Sequence, residues 1–302
     1  IKMLNNNILF LILSHHQEDD FYLNLSKEYF QHILVEGSSK MPGIVVIGDN
    51  DNINNRRTDE RSTFGEMRGM HWCWKRINTY QYYGLMQYRR YFIKPRWRGV
   101  SFIFHLEDSL FNYMRNISCN YNMPIFKKII SKYDSLKGKV ETFRRKDVKK
   151  GLDNKIFNFN SFIKKEVQKY DFIVPEPMYF VGNLKEQYLD SQNFPEDLSL
   201  LREIVESNQS QYLQTFDDVW GSNKLYGHNM FVMSSKYFEK YMNWLFSILF
   251  ELEKKIDFSN RSDHERRAIP FISERLFTVF FEYVRRNEDV NFIELPVIFF
   301  DK

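Results

Sequence analysis

The sequence predicts an α/β fold with a largely parallel sheet, and three observations carry that prediction. From Ile8 to Phe92 short apolar runs (ILFLIL, GIVVIG, YYGLM) alternate with helical or polar stretches, the pattern of strands separated by helices. These runs are apolar at successive positions, as strands buried on both faces are. The chain is also rich in rings and poor in breakers, with 29 Phe, 18 Tyr and 5 Trp against 12 Gly and 8 Pro in 302 residues. That composition suits a folded, enzyme-sized chain with a sizeable core and excludes disordered and fibrous classes.

The elements follow in order. ILFLIL, within residues 5–14, is six residues long, too short to span a bilayer and without the cleavage site of a signal peptide. It reads as a buried first strand. LNLSKEYFQHIL at 23–34 reads as a helical stretch, GIVVIG at 43–48 as a strand, and the polar, breaker-rich 49–62 as a loop. Residues 65–77 form the next helix and YYGLM the next strand. Residues 94–169 are rich in Lys and Asn with weak helical periodicity, and read as a mostly helical insert in a single domain spanning 1–302. Phe172, Ile173 and Val174 make a strand stopped by the Pro175-Glu176-Pro177 corner. NMFVM at 229–233 is another strand. Ser234 or Ser235 then caps a long helix reaching about Ile256, with Lys254 and Lys255 at its C-terminal dipole. That helix is apolar on several sides and reads as core, because no basic face marks it as a membrane-surface helix. SERLFTVFFEYVRR, opened by Ser273, is the last helix, and NFIELPVIFF the last strand-like run.

Charge and cysteine content narrow the function classes. Net charge is +4, but residues 127–150 hold ten Lys or Arg against three acids. Such a segment suits anionic lipid headgroups or is a solvated helical face. The basic residues concentrate there and no nucleic-acid-binding signature accompanies them, which argues against a nucleic-acid partner. Cys73 and Cys119 form neither a CxxC motif nor a disulfide framework, and point to a reducing, cytoplasmic compartment.

Several residues are candidates for chemistry. In YYGLMQYRRYF a strand ends at Gln87 and Tyr88 and delivers Arg89 and Arg90 into a loop. Two guanidinium forks beside aromatic rings either seat a nucleotide diphosphate or pack on the neighbouring tyrosines as a surface pair. Asp49 and Asp51 form an Asp-x-Asp after a strand, an alternative seat for a divalent cation bridging a diphosphate. His15 and His16 follow the first strand, at the strand end where α/β proteins take ligands, and suit a nucleoside contact. Glu66 shares a helical face with Met70 and Trp74, so it needs a partner, in an ion pair or on a substrate. Glu274, one residue inside the helix opened by Ser273, is either an ordinary first-turn acid stabilised by the dipole or a functional carboxylate.

The run GEMRGMHWCWKRINTYQYYGLMQYRRYF at 65–92 resembles the signature of capsular polysaccharide synthesis proteins classed as domain of unknown function 4422. Their pattern is an acid, a tryptophan-rich helix and a Y-I-G-L-x-H-Y-R-R-Y-F strand and loop. ILSHHQ, GIVVIG, DFIVP, the segment from Asn229 to Met233, the helix bearing Trp244-Leu245-Phe246, and FISERL fit as well. The likeness runs through the chain apart from the insert. Gln87 departs from it, standing where the family usually has His, and so does the loop at 49–62.

The resemblance implies a glycosyltransferase with a GT-A-like nucleotide-sugar fold, moving galactose or galactofuranose from a UDP-sugar onto capsule or O-antigen polysaccharide. His15, His16, Glu66, Tyr88, Arg89, Arg90 and Asn229 would then bind the donor. The arginines would take the place of a metal ion, so no cofactor is assigned. Glu274 matches the late-helix base of inverting enzymes, with Asp218 and its neighbour Asp217 in reserve. The expected partners are the nucleotide sugar and a glycan or lipid-linked glycan acceptor, and the basic insert would touch the cytoplasmic face of the inner membrane. A sugar-binding module without catalysis, or a nucleic-acid binder, is the competing reading.

Overall fold

The computed structural model describes residues 8–14, 30–34, 44–46, 63–77, 79–87, 90–92, 142–144, 162–163, 165–192 and 194–301, with positions 114 and 129. In chain order the elements are β1 (Ile8–Ser14), β2 (Phe30–Leu34), β3 (Ile44–Val46), α1 (Met67–Arg76), β4 (Tyr82–Gln87), β5 (Arg90–Phe92) and β6 (Thr142–Arg144). Then come β7 (Phe172–Pro175), β8 (Met178–Tyr179), α2 (Leu184–Gln192), α3 (Pro195–Asn208), α4 (Leu213–Gly221) and β9 (Lys224–Leu225). The last are β10 (Phe231–Ser234), α5 (Ser235–Lys255), α6 (Ala268–Asn287), β11 (Phe292–Leu295) and β12 (Val297–Asp301).

The main sheet runs β11-β7-β10-β4-β1-β2-β3. β1 pairs in parallel with β2 and β4, β2 with β3, and β11 with β7. The expected α/β class is present, but the sheet is mixed rather than largely parallel. β10 lies antiparallel between β4 and β7. An apolar run carries no mark of strand direction, so the sequence could not announce this reversal. Its consequence is local: an antiparallel strand starts where its neighbour ends, so the segment before β10 arrives at the C-terminal end of β4.

The pleat sorts side chains onto two faces. Leu9, Leu11, Tyr83, Leu85, Phe172, Val174, Phe231 and Met233 join the larger core with helices α1 to α6. Ile8, Phe10, Ile12, Met86, Ile173 and Val232 join a smaller core with Tyr91, Phe92, Phe162, Ile163 and Val167. Both faces are therefore covered, which is why these strands read as unbroken apolar runs. α5 buries Phe238, Tyr241, Met242, Trp244, Leu245, Phe246, Ile248 and Leu249 and exposes a narrow stripe including Lys236, Glu239, Asn243 and Ser247. Its start after Ser234 and its closing Lys254 and Lys255 agree with expectation. Among the described residues no helix is long and apolar enough to cross a membrane.

Two further expectations need correction. The helical stretch at 23–34 contains β2, held between β1 and β3; sheet pairing on both edges overrides its helical pattern. The C-terminal run is two strands, because Pro296 lacks the N–H that a continuous ladder needs. β11 pairs β7, whereas β12 pairs β5 and β6. The insert expected at 94–169 lies largely outside the described residues; those described there include the strand β6 and a helical turn at Val167–Lys169. The helices α2, α3 and α4 go beyond the sequence reading; α3 opens with Pro195 in its first turn beside Glu196 and Asp197, a helix-start pattern.

One position makes the β1–β4 contact possible. Gly84 stands opposite Phe10 in the parallel register, and a Cβ there would run into the buried Phe10 ring. Gly84→Ala should therefore overpack the smaller core and cost about 1–3 kcal/mol. Scanning calorimetry checks this through a lower thermal midpoint.

Candidate active site

The site forms where β4 ends. β10 pairs antiparallel with β4, with Phe231 opposite Leu85, which brings the segment before β10 beside Gln87. The Gln87 amide nitrogen donates to the His228 carbonyl at 2.9 Å, and its amide oxygen accepts from the Arg90 guanidinium. On the other side, the His228 backbone N–H donates to Glu274 Oε1 at 2.9 Å. Gln87, Arg90, His228 and Glu274 are thus joined through one short segment, although they are separated by as many as 187 positions in the chain.

That segment holds an unusual backbone. His228 has φ 69° and Asn229 φ 50°, two consecutive non-glycine residues in the left-handed region. Each such residue costs on the order of 1–3 kcal/mol and persists only where its surroundings impose it. Helix α6 imposes it here, at successive turns. The Asn229 side chain, 2% exposed, donates to the Pro270 carbonyl at 3.4 Å and accepts from the Ser273 hydroxyl at 3.2 Å. Glu274 takes the His228 N–H, and the Thr278 hydroxyl accepts the Tyr226 N–H at 3.0 Å. Tyr226 is anchored again by its own hydroxyl, which donates to Glu294 Oε1 at 2.5 Å.

Glu274 keeps part of its surface open to solvent, yet protein crowds its carboxylate. Burial raises its pKa above the ordinary value near 4.5, and the nearby carboxylate of Glu66 adds to the rise. Arg275, Arg90 and the His228 N–H oppose it by favouring the charged form. Glu66 itself is 8% exposed, at the entrance to α1. The His228 imidazole is pushed down to about 3 by burial and by the Arg90 charge, so it is neutral at physiological pH. The arrangement sets a carboxylate able to take up a proton and a guanidinium able to face an anion on two sides of one backbone segment.

The structure thus brings together Glu66, Arg90, Asn229 and Glu274 from the sequence-derived candidates, and gives Gln87 a bridging place. It corrects the setting of Glu274. Helix α6 begins at Ala268, not at Ser273, because Pro270 sits in its first turn, where proline is tolerated. Ser273 is fully buried and its hydroxyl donates to the Pro270 carbonyl at 2.7 Å, so it caps nothing. Glu274 is the seventh residue of the helix, beyond the first turn where the dipole acts, and its ionised form is disfavoured rather than stabilised. Asn229 turns its side chain into α6, so it faces the site through its backbone.

Asp217 and Asp218 lie elsewhere. Asp217 pairs with Arg202 at 2.9 Å and Asp218 with Arg286 at 2.5 Å, on the surface. Arg286 is twelve residues beyond Glu274 on α6, about 18 Å at the helical rise. His15, His16, Tyr88, Arg89, Asp49 and Asp51 lie outside the described residues. Among those that are described, no group of three His, Cys, Asp or Glu could hold a metal ion. Cys73 is buried and its thiol is pushed up to about 12, which keeps it inert.

Two positions at this junction escape the sequence. His228 carries no motif, and only the backbone angle reveals it. Arg275 is 1% exposed, donates to the Phe271 carbonyl at 2.6 Å and lies over the rings of Tyr188 and Trp220. It is the buried positive charge next to Glu274, and in sequence it looks like any base on an apolar helix.

A solved structure titled WbbM bifunctional glycosyltransferase, in its apo form, superposes on this chain with a TM-score of 0.69 at 20% sequence identity. The match covers 98% of this chain and 46% of that one, so this chain spans less than half of that protein's length. The likeness establishes a shared fold, mixed α/β with a central mixed sheet. No curated protein matches the sequence. Residues 10–286 match the family described as domain of unknown function DUF4422, a span that includes Glu66, Arg90, His228 and Glu274. With the family pattern covering nearly the whole chain, the protein belongs to the domain of unknown function 4422 family.

Proposed function

We propose that this chain is a glycosyltransferase that moves a sugar, galactose or galactofuranose, from a UDP-sugar to a growing capsule or O-antigen polysaccharide. One observation carries the reading: a crowded carboxylate, Glu274, and a guanidinium, Arg90, are tied to the same His228–Gln87 junction. In the proposed inverting reaction an acceptor hydroxyl gives its proton to Glu274 as its oxygen bonds to the anomeric carbon. The bond from that carbon to the diphosphate breaks, and the electron pair leaves with UDP. Arg90, together with Arg89 next to it in sequence, would neutralise the charge growing on the diphosphate. Glu66 would hold donor or acceptor hydroxyls beside the base.

The fold shared with a bifunctional glycosyltransferase and the family pattern support transfer chemistry. A nucleotide-sugar donor and a glycan or lipid-linked glycan acceptor follow from that chemistry. The basic residues between 127 and 150 would keep the protein at the cytoplasmic face of the membrane, where lipid-linked acceptors lie.

The test is release of UDP from a panel of nucleotide sugars, with and without a lipid-linked glycan acceptor. Acceptor-dependent release from UDP-galactose or UDP-galactofuranose is expected. It should survive exhaustive chelation if the arginines do a metal's work, whereas strict dependence on manganese or magnesium would turn attention to Asp49 and Asp51. No release from any donor, with salt-sensitive RNA binding in its place, would overturn the reading.

A further inference from the structure

We propose that the His228 imidazole is a catalytic residue that hydrogen-bonds a hydroxyl of the sugar being transferred, in the space between Glu274 and Arg90. This deepens the transferase reading and rests on it.

Three observations point there. First, His228 and Asn229 occupy the left-handed region side by side. α6 clamps this segment by way of Pro270, Ser273, Glu274 and Thr278, and β4 holds it by way of Gln87. Core packing alone gives no reason to keep a histidine where glycine would sit without strain. Second, the backbone of His228 is fully engaged, its N–H with Glu274 and its carbonyl with Gln87. Its imidazole makes no hydrogen bond among the described residues, and the residue is half-buried. A strained backbone that leaves its ring free presents that ring to something else. Third, the ring lies near Arg90, whose charge acts on it, while the same residue's N–H holds the Glu274 carboxylate. If the arginine faces the diphosphate and the carboxylate faces the acceptor, the group bridging them is the sugar.

The chemistry selects a hydroxyl over a phosphate. Burial and the neighbouring Arg90 keep the imidazole neutral, so it offers one donor nitrogen and one acceptor nitrogen. A sugar hydroxyl matches both roles, whereas an anion would call for the cationic ring that this setting disfavours.

The test compares wild type with His228→Ala, His228→Asn and His228→Gly, using UDP, UDP-galactose and UDP-galactose analogues deoxygenated at one hydroxyl at a time. UDP affinity should stay within about threefold of wild type in all variants, while kcat/KM for UDP-galactose falls by about 10- to 100-fold in the alanine variant. Asparagine, which tolerates the left-handed backbone and keeps a donor and an acceptor, should restore part of the rate. Glycine should raise the thermal midpoint and still lose the rate, a combination that a structural role would not give. One deoxy analogue should be a poor donor for wild type and no worse than UDP-galactose for His228→Ala. Equal penalties for every analogue in both proteins, or loss of UDP and UDP-galactose affinity together, would overturn the contact and leave the transferase reading standing. Failure of wild type to bind or turn over any nucleotide sugar would overturn both.

Discussion

Glu274→Gln is expected to lower kcat by about 10²–10⁴-fold, the range that a positioned general base contributes, while UDP binding stays near wild type. The amide keeps the shape of the side chain and an oxygen to accept the His228 N–H, so the left-handed segment should stay in place. What it loses is the capacity to take a proton from the acceptor. Stability should move the other way. Burial and Glu66 raise the pKa of Glu274 in the folded chain, so folding is helped by its proton. That contribution is complete below the ordinary glutamate value and disappears as pH climbs through the raised one. Above the ordinary glutamate value the acid is therefore a destabilising group, and the Glu274→Gln variant should melt at the same temperature as wild type or higher. An inactive variant that is also less stable would point to a structural role for this acid.

The second large effect concerns the support of α6. Asp197, in the first turn of α3, is fully buried and takes both terminal nitrogens of Arg261, at 2.7 and 2.6 Å. It also accepts from the Tyr188 hydroxyl at 3.0 Å. The Arg261 guanidinium lies 3.8 Å from the Phe194 ring centroid and its Nε donates to the Asp257 carbonyl at 2.8 Å. This ion pair fixes the chain between the end of α5 and the start of α6, and with it the helix that carries Glu274. Asp197→Ala leaves a buried guanidinium without its counter-charge, and should cost about 3–5 kcal/mol. Against a typical total of about 5–15 kcal/mol, that is a large share. Urea denaturation measures it. Replacing both partners, Asp197→Leu with Arg261→Met, should recover much of the loss, because the lone charge and not the missing attraction dominates. A single variant as stable as wild type would mean that the pair is not buried as described.

The strands β1, β4, β7 and β10 and the helix α5 are legible in the sequence because each is long in apolar residues and buried where the pattern says. Strand direction is not legible, since pairing partners fix it and side-chain pattern does not. The start of α6 misleads for a definite reason: Ser273 resembles a cap and Pro270 a breaker. In the fold, the proline occupies a first turn and the serine hydroxyl joins Asn229 and the Pro270 carbonyl. Glu274 stands out in the sequence in spite of that, but its environment is the reverse of the expected one, crowded rather than dipole-stabilised. Gln87 looks like the residue least suited to the family pattern. It is the bridge between Arg90 and His228, a place that needs one acceptor and one donor, which a glutamine amide supplies. His228 is invisible in the sequence, because a left-handed backbone is marked there only when glycine occupies it.

The most direct measurement of Glu274 as a base with an upward-shifted pKa is the pH dependence of kcat for UDP release, in wild type and in Glu274→Gln. Wild type should lose activity as pH falls along an acid limb whose midpoint lies above 4.5, the ordinary glutamate value, and the residual activity of the variant should lack that limb. A wild-type profile that is flat down to that pH, or an acid limb that persists unchanged in Glu274→Gln, would contradict it.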